Sequence, residues 1–269
     1  MPRRFADVDP RRSPGPIAIT QPTHAWVSGQ LARAWGNQHF APVEPWEDVC
    51  LGAEQHDLGW ADWEQHPTLN LATGLPDRFF ELPTAQHVAI WRHASRRMLT
   101  QSRYASLLVS LHVSGLYERH NYVNDSPAEA RDARGFLAEE RSFQSQLIRS
   151  LSSDSRLGPF ATPKLLHRNR RLIAVWDALS LAICTAKNLE TTIADVPTAD
   201  AGQNITLSPI TSAADRWTLT PWPFSGSAVS LVLEGRRIPT ASIDQKAWER
   251  DYAQATWVSV TVSLENADA

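Results

Sequence analysis

Histidines and aspartates that fall on apolar helix faces constrain this chain more than any other feature. His24 lies within TQPTHAW, His56 and Asp57 within AEQHDLGW, His87 within TAQHVAIW, His112 within LLVSLHVSGLY and Asp177 within IAVWDALSL. Apolar residues stand three or four positions away: Ile90 and Trp91 from His87, Val109 and Leu116 from His112, Ile173 and Leu181 from Asp177. That spacing puts the polar group on the buried stripe of a helix. Burying an imidazole or carboxylate costs several kcal/mol unless it is paired, hydrogen-bonded or bound to a cation. A single buried histidine is an ordinary satisfied core residue. Six such groups on five helices are best accommodated by a fold that brings them together. Four imidazoles and two carboxylates saturate most of the coordination of two neighbouring first-row metal ions. Adjacent residues such as His56 and Asp57 cannot point the same way on a regular helix, but near a helix end both can reach a centre beyond the last turn.

The helices that carry these groups are legible from periodicity and punctuation. The first runs from Thr20 to the stop at Gly36 and Asn37, the second from about Pro45 to Gly59. Further helices cover about 84–101, 103–120, 127–152 and 162–187. Residues 60–83, punctuated by Pro67, Gly74, Pro76 and Pro83, form a long irregular segment. Inside a folded domain such a segment is expected to be a lid or pocket wall. Residues 1–16 read as a loose arm and 189–215, rich in Thr, Ala, Pro and Asp, as a connector. Period-two alternation at Val229, Leu231 and Leu233 and at Val258, Val260, Val262 and Leu264 predicts strands. Trp217–Pro221 adds another, with one helix at Asp244–Ala253. The expected architecture is mainly α: a helical metal-binding domain over 17–190, then a linker and a small antiparallel β appendage over 191–269.

Composition narrows the function classes. Among 269 residues, 26 basic against 29 acidic side chains leave a net charge of -3, so no positive field exists to collect nucleic-acid phosphates. No stretch approaches the roughly 18 apolar residues of a membrane span. The basic N-terminus has no apolar run behind it, unlike a signal peptide. The two cysteines, Cys50 and Cys184, sit in apolar helical contexts and read as free core thiols in a reducing cytoplasm. Neither is placed as a nucleophile, and no glycine-rich phosphate loop, G-x-S-x-G elbow or CxxC pair occurs.

At the His and Asp positions the sequence resembles the HD-domain metalloenzyme superfamily, named for its His-Asp doublet. His24, the doublet His56-Asp57 and the distant Asp177 match its pattern in order and helical placement. His87 and His112 fall where the dinuclear branch of that superfamily adds two histidines. The resemblance covers about residues 17–190, and the whole chain also resembles an uncharacterised bacterial family of this type. It implies two divalent metal ions, Fe first with Mn, Ni or Zn as alternatives. His24, His56, Asp57 and Asp177 would hold one ion and His87 and His112 the other, with Asp57 bridging. One group within the branch hydrolyses phosphoesters with a metal-bridging hydroxide; this implies hydrolysis of a phosphorylated small molecule. The other, including myo-inositol oxygenase, uses mixed-valent di-iron to activate oxygen, and local strings resemble it: TQ before His24, LHV followed by Tyr117, and WD at Asp177. This chain departs from both at two places. Trp60 stands where many members carry Lys or His after HD-x-G. Ser114-Gly115-Leu116 stands where a phosphonate-cleaving member has its lysine.

The same neighbourhoods suggest the remaining site residues. Asp57, Glu54 and Tyr117 are expected at the chemistry, Glu54 and Gln21 as groups that orient ligands. Gln21, Trp60, Asp62 and Arg103 are expected near substrate, although Arg103 lies 2.5 turns before His112 and so invites a salt bridge instead. Arg168, Arg170 and Arg171 read as a solvated face, and His39, His66, His93, His120 and His167 as surface residues. A non-catalytic ligand-binding module is the third reading. The sequence leaves oligomeric state open.

Overall fold

A computed structural model describes residues 1, 3–4, 15–119, 126–185, 192–200, 204–213, 215–239 and 241–267, with backbone alone at 3–4 and 204–213. The helices form close to where periodicity places them. Helix α1 (Gln21–Ala34) starts at Thr20, whose hydroxyl accepts from the Thr23 N–H, with Pro22 in the first turn. Next come α2 (Trp46–Glu54), α3 (Thr84–Met98) and α4 (Arg103–Glu118), the last capped by Ser102, which accepts from two backbone N–H groups. Helix α5 (Pro127–Ser152) opens on a capping box between Ser126 and Glu129. Helices α6 (Pro163–Thr185) and α7 (Gln245–Ala253) complete the described set.

The strands extend beyond the expected appendage. Strands β1 (Arg3–Arg4), β2 (Ile17–Ala18), β5 (Ile193–Pro197), β6 (Asn204–Ala213), β7 (Arg216–Thr220), β8 (Ala228–Arg237) and β9 (Thr256–Asn266) form a seven-stranded sheet in the order β1-β2-β8-β9-β7-β6-β5. A short hairpin, β3 (Leu69–Asn70) with β4 (Leu75–Pro76), stands apart. Three expectations change. The expected arm over 1–16 contributes β1, and β2 opens the segment expected to be helical. The connector over 189–215 contributes β5 and β6. The pairing of β7 with β9 is parallel within an otherwise antiparallel sheet. Close approach explains the first: a Cβ at Gly235 would lie 2.5 Å from Ile17 and 2.7 Å from the Ala18 carbonyl, so only glycine lets β2 dock on β8. Polar and Pro-rich composition hides β5 and β6 from a periodicity count.

One face of the sheet is wet and the other packs on helices. Leu231, Leu233, Val262 and Leu264 are buried while Ser230, Ser259 and Thr261 between them are exposed. They join Val27 and Leu31 of α1, Leu108 of α4 and Ile173 and Trp176 of α6 in one apolar core. A second core gathers Trp60, Trp91, Val109, Val113, Tyr117 and Phe136. The first core fixes α1 and α6 on the sheet, the second fixes α3 and α5 on α4, and the polar groups sit where the two meet. Cys50 and Cys184 are both buried, and burial pushes the Cys50 thiol up to about 11, out of reach of nucleophilic use. No helix among the described residues is long and apolar enough to cross a membrane.

Candidate metal centre

Five of the six expected side chains converge. His24 comes from the first turn of α1, His112 from the middle of α4 and Asp177 from α6. His56 and Asp57 lie just past the end of α2, in the turn that leads into a short 3-10 helix at Leu58–Trp60. That break lets neighbours in sequence face one point. The next glycine makes the turn possible: a Cβ at Gly59 would lie 2.5 Å from the Ile90 carbonyl of α3.

His24 Nε2 lies 3.2 Å from Asp57 Oδ2, 3.2 Å from Asp177 Oδ1 and 3.2 Å from His56 Nε2. His56 Nε2 is 3.8 Å from Asp57 Oδ2 and 3.6 Å from Asp177 Oδ1. On the far side of Asp177, His112 Nε2 is 3.6 Å from Oδ2. These atoms form two groups able to hold an ion, His24-His56-Asp57 and His56-His112-Asp177. All are buried except Asp177, whose side chain keeps 17% exposure toward the adjoining pocket.

The outer hydrogen bonds decide which way the imidazoles present their lone pairs. His56 Nδ1 donates to the Ala53 carbonyl at 2.8 Å. Ser180 donates to the Asp177 carbonyl at 2.9 Å, so its hydroxyl oxygen accepts from His24 Nδ1 at 2.6 Å. Ser28, 2.9 Å from Ser180, braces it. With both Nδ1 atoms donating, both neutral rings turn an Nε2 lone pair inward. Two lone pairs and two carboxylate oxygens then crowd one point, and only a proton or a cation makes that arrangement favourable. Adjacent ligand atoms about 2.1 Å from one ion lie roughly 3.0 to 3.4 Å apart; the three 3.2 Å separations around His24 Nε2 fit that spacing, while those from His56 Nε2 to the carboxylates are longer, at 3.6 and 3.8 Å. Asp57 Oδ1 is buried with no hydrogen-bond partner among the described residues.

Without a cation, a proton takes its place. Burial alone pushes His24 down, yet the hydrogen bonds to Asp177 and Asp57 outweigh it and carry the ring up to about 9. Burial opposes ionisation of Asp177, but hydrogen bonds from His24 and His56 hold it well below the usual carboxylate range. His112 goes the other way: burial pushes it down to about 4, against the pull of Asp177. A neutral His112 beside a proton-holding His24 makes two chemically distinct sides to one centre.

A family model for proteins of unknown function, DUF3891, matches residues 11–240 and so takes in the whole centre. The chain belongs to that family. No curated protein and no solved structure matches the chain.

In this DUF3891 protein the centre opens into a cavity of about 270 Å³ walled by Trp60, Phe79, Trp91, Leu116, Tyr117 and Leu181. Asp57, His112 and Asp177 form its floor, and Gln21, Thr84 and His87 its polar rim. Among the described residues no Lys or Arg lines it. The segment over 60–83 supplies Phe79 and thereby acts as a wall, as expected of it. A larger open cleft of about 800 Å³, near Phe40 and Trp222, contains none of these side chains.

Four expectations need correction. His87 is on the rim, hydrogen-bonded to the Phe79 carbonyl and edge-on to Trp60, and belongs to neither ion-holding group. Glu54 points between α1 and α2, where it pairs with Arg33. Asp62 is 68% exposed and paired with Arg97. Arg103 bonds Ser150 and Asp154, the salt-bridge alternative. Gln21, Trp60 and Tyr117 do line the cavity. His39, His66, His93 and His167 are exposed, and His120 lies outside the described residues.

Sequence reasoning missed Ser180, Ser28 and Glu64. The serines carried a signal, standing three residues after Asp177 and four after His24. Glu64 carried none, since it sits in the irregular segment. It is buried, accepts from the Gln21 N–H at 2.6 Å, and burial pushes it up to about 8. The Thr of the TQ string has a plain structural role as the α1 cap.

Proposed function

We propose that this protein is an HD-type metal-dependent enzyme that hydrolyses a phosphorylated small molecule whose organic part is apolar or aromatic. The supporting observation is the convergence of His24 Nε2, His56 Nε2, Asp57 Oδ2 and Asp177 Oδ1 within 3.2–3.8 Å, with the outer ring nitrogens committed elsewhere. These four residues would hold one divalent ion of Fe, Mn, Ni or Zn. Asp57 Oδ1, Asp177 Oδ2 and His112 stand ready for a second, which His87 would join only by leaving the Phe79 carbonyl. A divalent ion held there supplies Lewis acidity, making water nucleophilic near neutral pH and offsetting phosphoryl charge.

The chain's own residues do the rest. Ser180 and the Ala53 carbonyl hold the His24 and His56 rings in place. Trp60, Trp91 and Phe79 exclude water and receive the organic part of the substrate. Gln21 Oε1, buried without a hydrogen-bond partner among the described residues, orients that part. Because no Lys or Arg among the described residues lines the cavity, phosphoryl recognition falls to the centre itself.

Metal analysis of the Asp57→Ala variant tests the reading. We expect loss of bound metal and of phosphoesterase turnover with the sheet still folded; retention of full metal content overturns the assignment. The same apolar lining favours one second reading, a di-iron oxygenase acting on an uncharged substrate. Electron paramagnetic resonance of anaerobically purified protein separates them: a mixed-valent di-iron signal that responds to oxygen selects the oxygenase.

A further inference from the structure

His112 has a second side. Behind it, away from the aromatic cavity, a smaller cavity of about 150 Å³ is lined by His112, Arg119, His167, Arg170, Arg171 and Ala174. That is room for about five waters at roughly 30 Å³ each, or for one oxyanion group. The cations arrive by helix geometry. His167, Arg170 and Arg171 stand at i, i+3 and i+4 on α6, hence on one face, and Arg119 caps the end of α4 beside them.

The charge there is not balanced. Glu118 is the carboxylate at hand, and it is shared: 2.8 Å from Arg170 and 3.6 Å from Arg141. Arg171 uses Nε and Nη2 on the backbone carbonyls of Asp195 and Ala194, which leaves Nη1 out of those two bonds. Burial lowers the Arg171 guanidinium, the Asp195 charge opposes that, and the Arg119 charge adds to it, so the two guanidiniums feel one another. Arg119 pairs with no carboxylate among the described residues. The exposed Arg119 and the half-buried Arg171 are like charges held together, which an anion relieves.

An apolar trough continues from the same residues. A cavity of about 260 Å³ shares His167 and Arg170 and is otherwise lined by Leu111, Ile148, Ala161, Pro163 and Leu166. The cationic cavity and the apolar cavity therefore adjoin across His167 and Arg170, among α4, α5 and α6.

We propose that this feature is a binding site for an amphipathic oxyanion, its phosphate or carboxylate head on Arg119, Arg170 and Arg171 and its short apolar chain along Leu111, Ile148 and Leu166. The site stands on these residues alone and does not require metal at the centre. Arginine suits the head because its planar fork meets two oxygens at once.

Isothermal titration of the full chain with hexyl phosphate, heptanoate, inorganic phosphate and hexanol tests the proposal, using chelator-treated protein and an Asp57→Asn variant to remove the centre as a competing site. Binding of hexyl phosphate or heptanoate supports it and names the head group. Hexanol should not bind. Inorganic phosphate should bind at least tenfold more weakly than hexyl phosphate, since each buried methylene is worth about fourfold. Asp57→Asn should leave the affinity unchanged, whereas Arg119→Glu and Arg171→Gln should each weaken it tenfold or more. Should Arg171→Gln fail to fold, Arg119→Glu carries the test, because Arg119 is exposed and forms no ion pair among the described residues. Wild-type affinity in Arg119→Glu, or equal affinity for inorganic and hexyl phosphate, overturns the proposal.

Discussion

Two buried polar clusters occupy the helical part of this molecule, and they are built on opposite principles. Around Glu140 of α5, acceptors meet donors. Its carboxylate accepts from Ser110 at 2.6 Å and Ser95 at 3.3 Å and pairs with Arg96, while Gln144 donates to Ser110 and Ser114. Around His56, acceptors meet acceptors: two inward lone pairs and two carboxylates share one point. The first cluster carries its own positive charge, Arg96 against Glu140 Oε1, as a structural network must. The second lacks a positive charge of its own and takes one from outside, either a proton or an ion. Polarity and burial are alike in the two, so donor balance is what separates scaffold from site.

The largest effect that follows is on stability, and it should appear in one cluster only. A ligand that binds only the folded chain, supplied at about 1,000 times its dissociation constant, adds roughly 4 kcal/mol, or on the order of 10 °C in a chain of this size. Adding back Fe, Mn, Ni or Zn to chelator-treated protein should raise the melting temperature accordingly. Glu140→Ala should instead cost about 3 kcal/mol, because Arg96 and the Ser95 and Ser110 hydroxyls lose their partner. Metal should then shift the melting temperature of that variant as much as it shifts the wild type. A variant whose metal response disappears along with Glu140 would show that the two clusters are one.

Acidity offers a second, smaller separation. His24 is raised from 6.5 to about 9 in the metal-free chain, so its imidazolium contributes stability that is complete below pH 6.5 and disappears as pH rises through 9. Between pH 7 and 9 the loss is on the order of 2 kcal/mol, and Glu64, raised to about 8, adds to the same slope over its lower half. Metal must displace that proton, so apparent metal affinity should climb about tenfold per pH unit up to pH 9. Chemical denaturation at three pH values, with and without metal, reads both. A metal-free chain equally stable at pH 7 and pH 9 would mean that no proton bridges His24 and the carboxylates.

Much of this was legible beforehand, and the reasons differ by residue. His24, His56, Asp57, His112 and Asp177 announce themselves because polar groups on apolar helix faces break a periodic pattern. The helix starts at Thr20, Ser102 and Ser126 are readable because capping is local chemistry. Direction around a helix end is not local. Glu54 and Glu64 are both acids near the doublet, and only the turn after α2 sends the first toward α1 and the second beneath Gln21. Asp62 and Arg103 were claimed by Arg97 and Asp154, partners on elements distant in sequence. Strands β5 and β6 escape because pairing with neighbours, not their own alternation, makes them strands.

His87 provides the finest cut between the two kinds of cluster. It is half-buried on the cavity rim, its ring is bonded to the Phe79 carbonyl, and Trp60 packs edge-on against it. Those partners engage it as Arg96 and the serines engage Glu140, although its helix and spacing match the groups of the centre. His87→Ala should therefore change metal-free stability by no more than about 1 kcal/mol, the worth of one hydrogen bond. It should also leave the ion of the His24-His56-Asp57 group in place with unchanged affinity. Metal counted per chain in that variant reads the outcome directly. If one ion of two is lost, His87 swings from Phe79 to the centre on loading, and the rim is part of the metal site. If the count is unchanged, the rim is a wall, and the second position rests on His112 and the carboxylates, with His56 beside them.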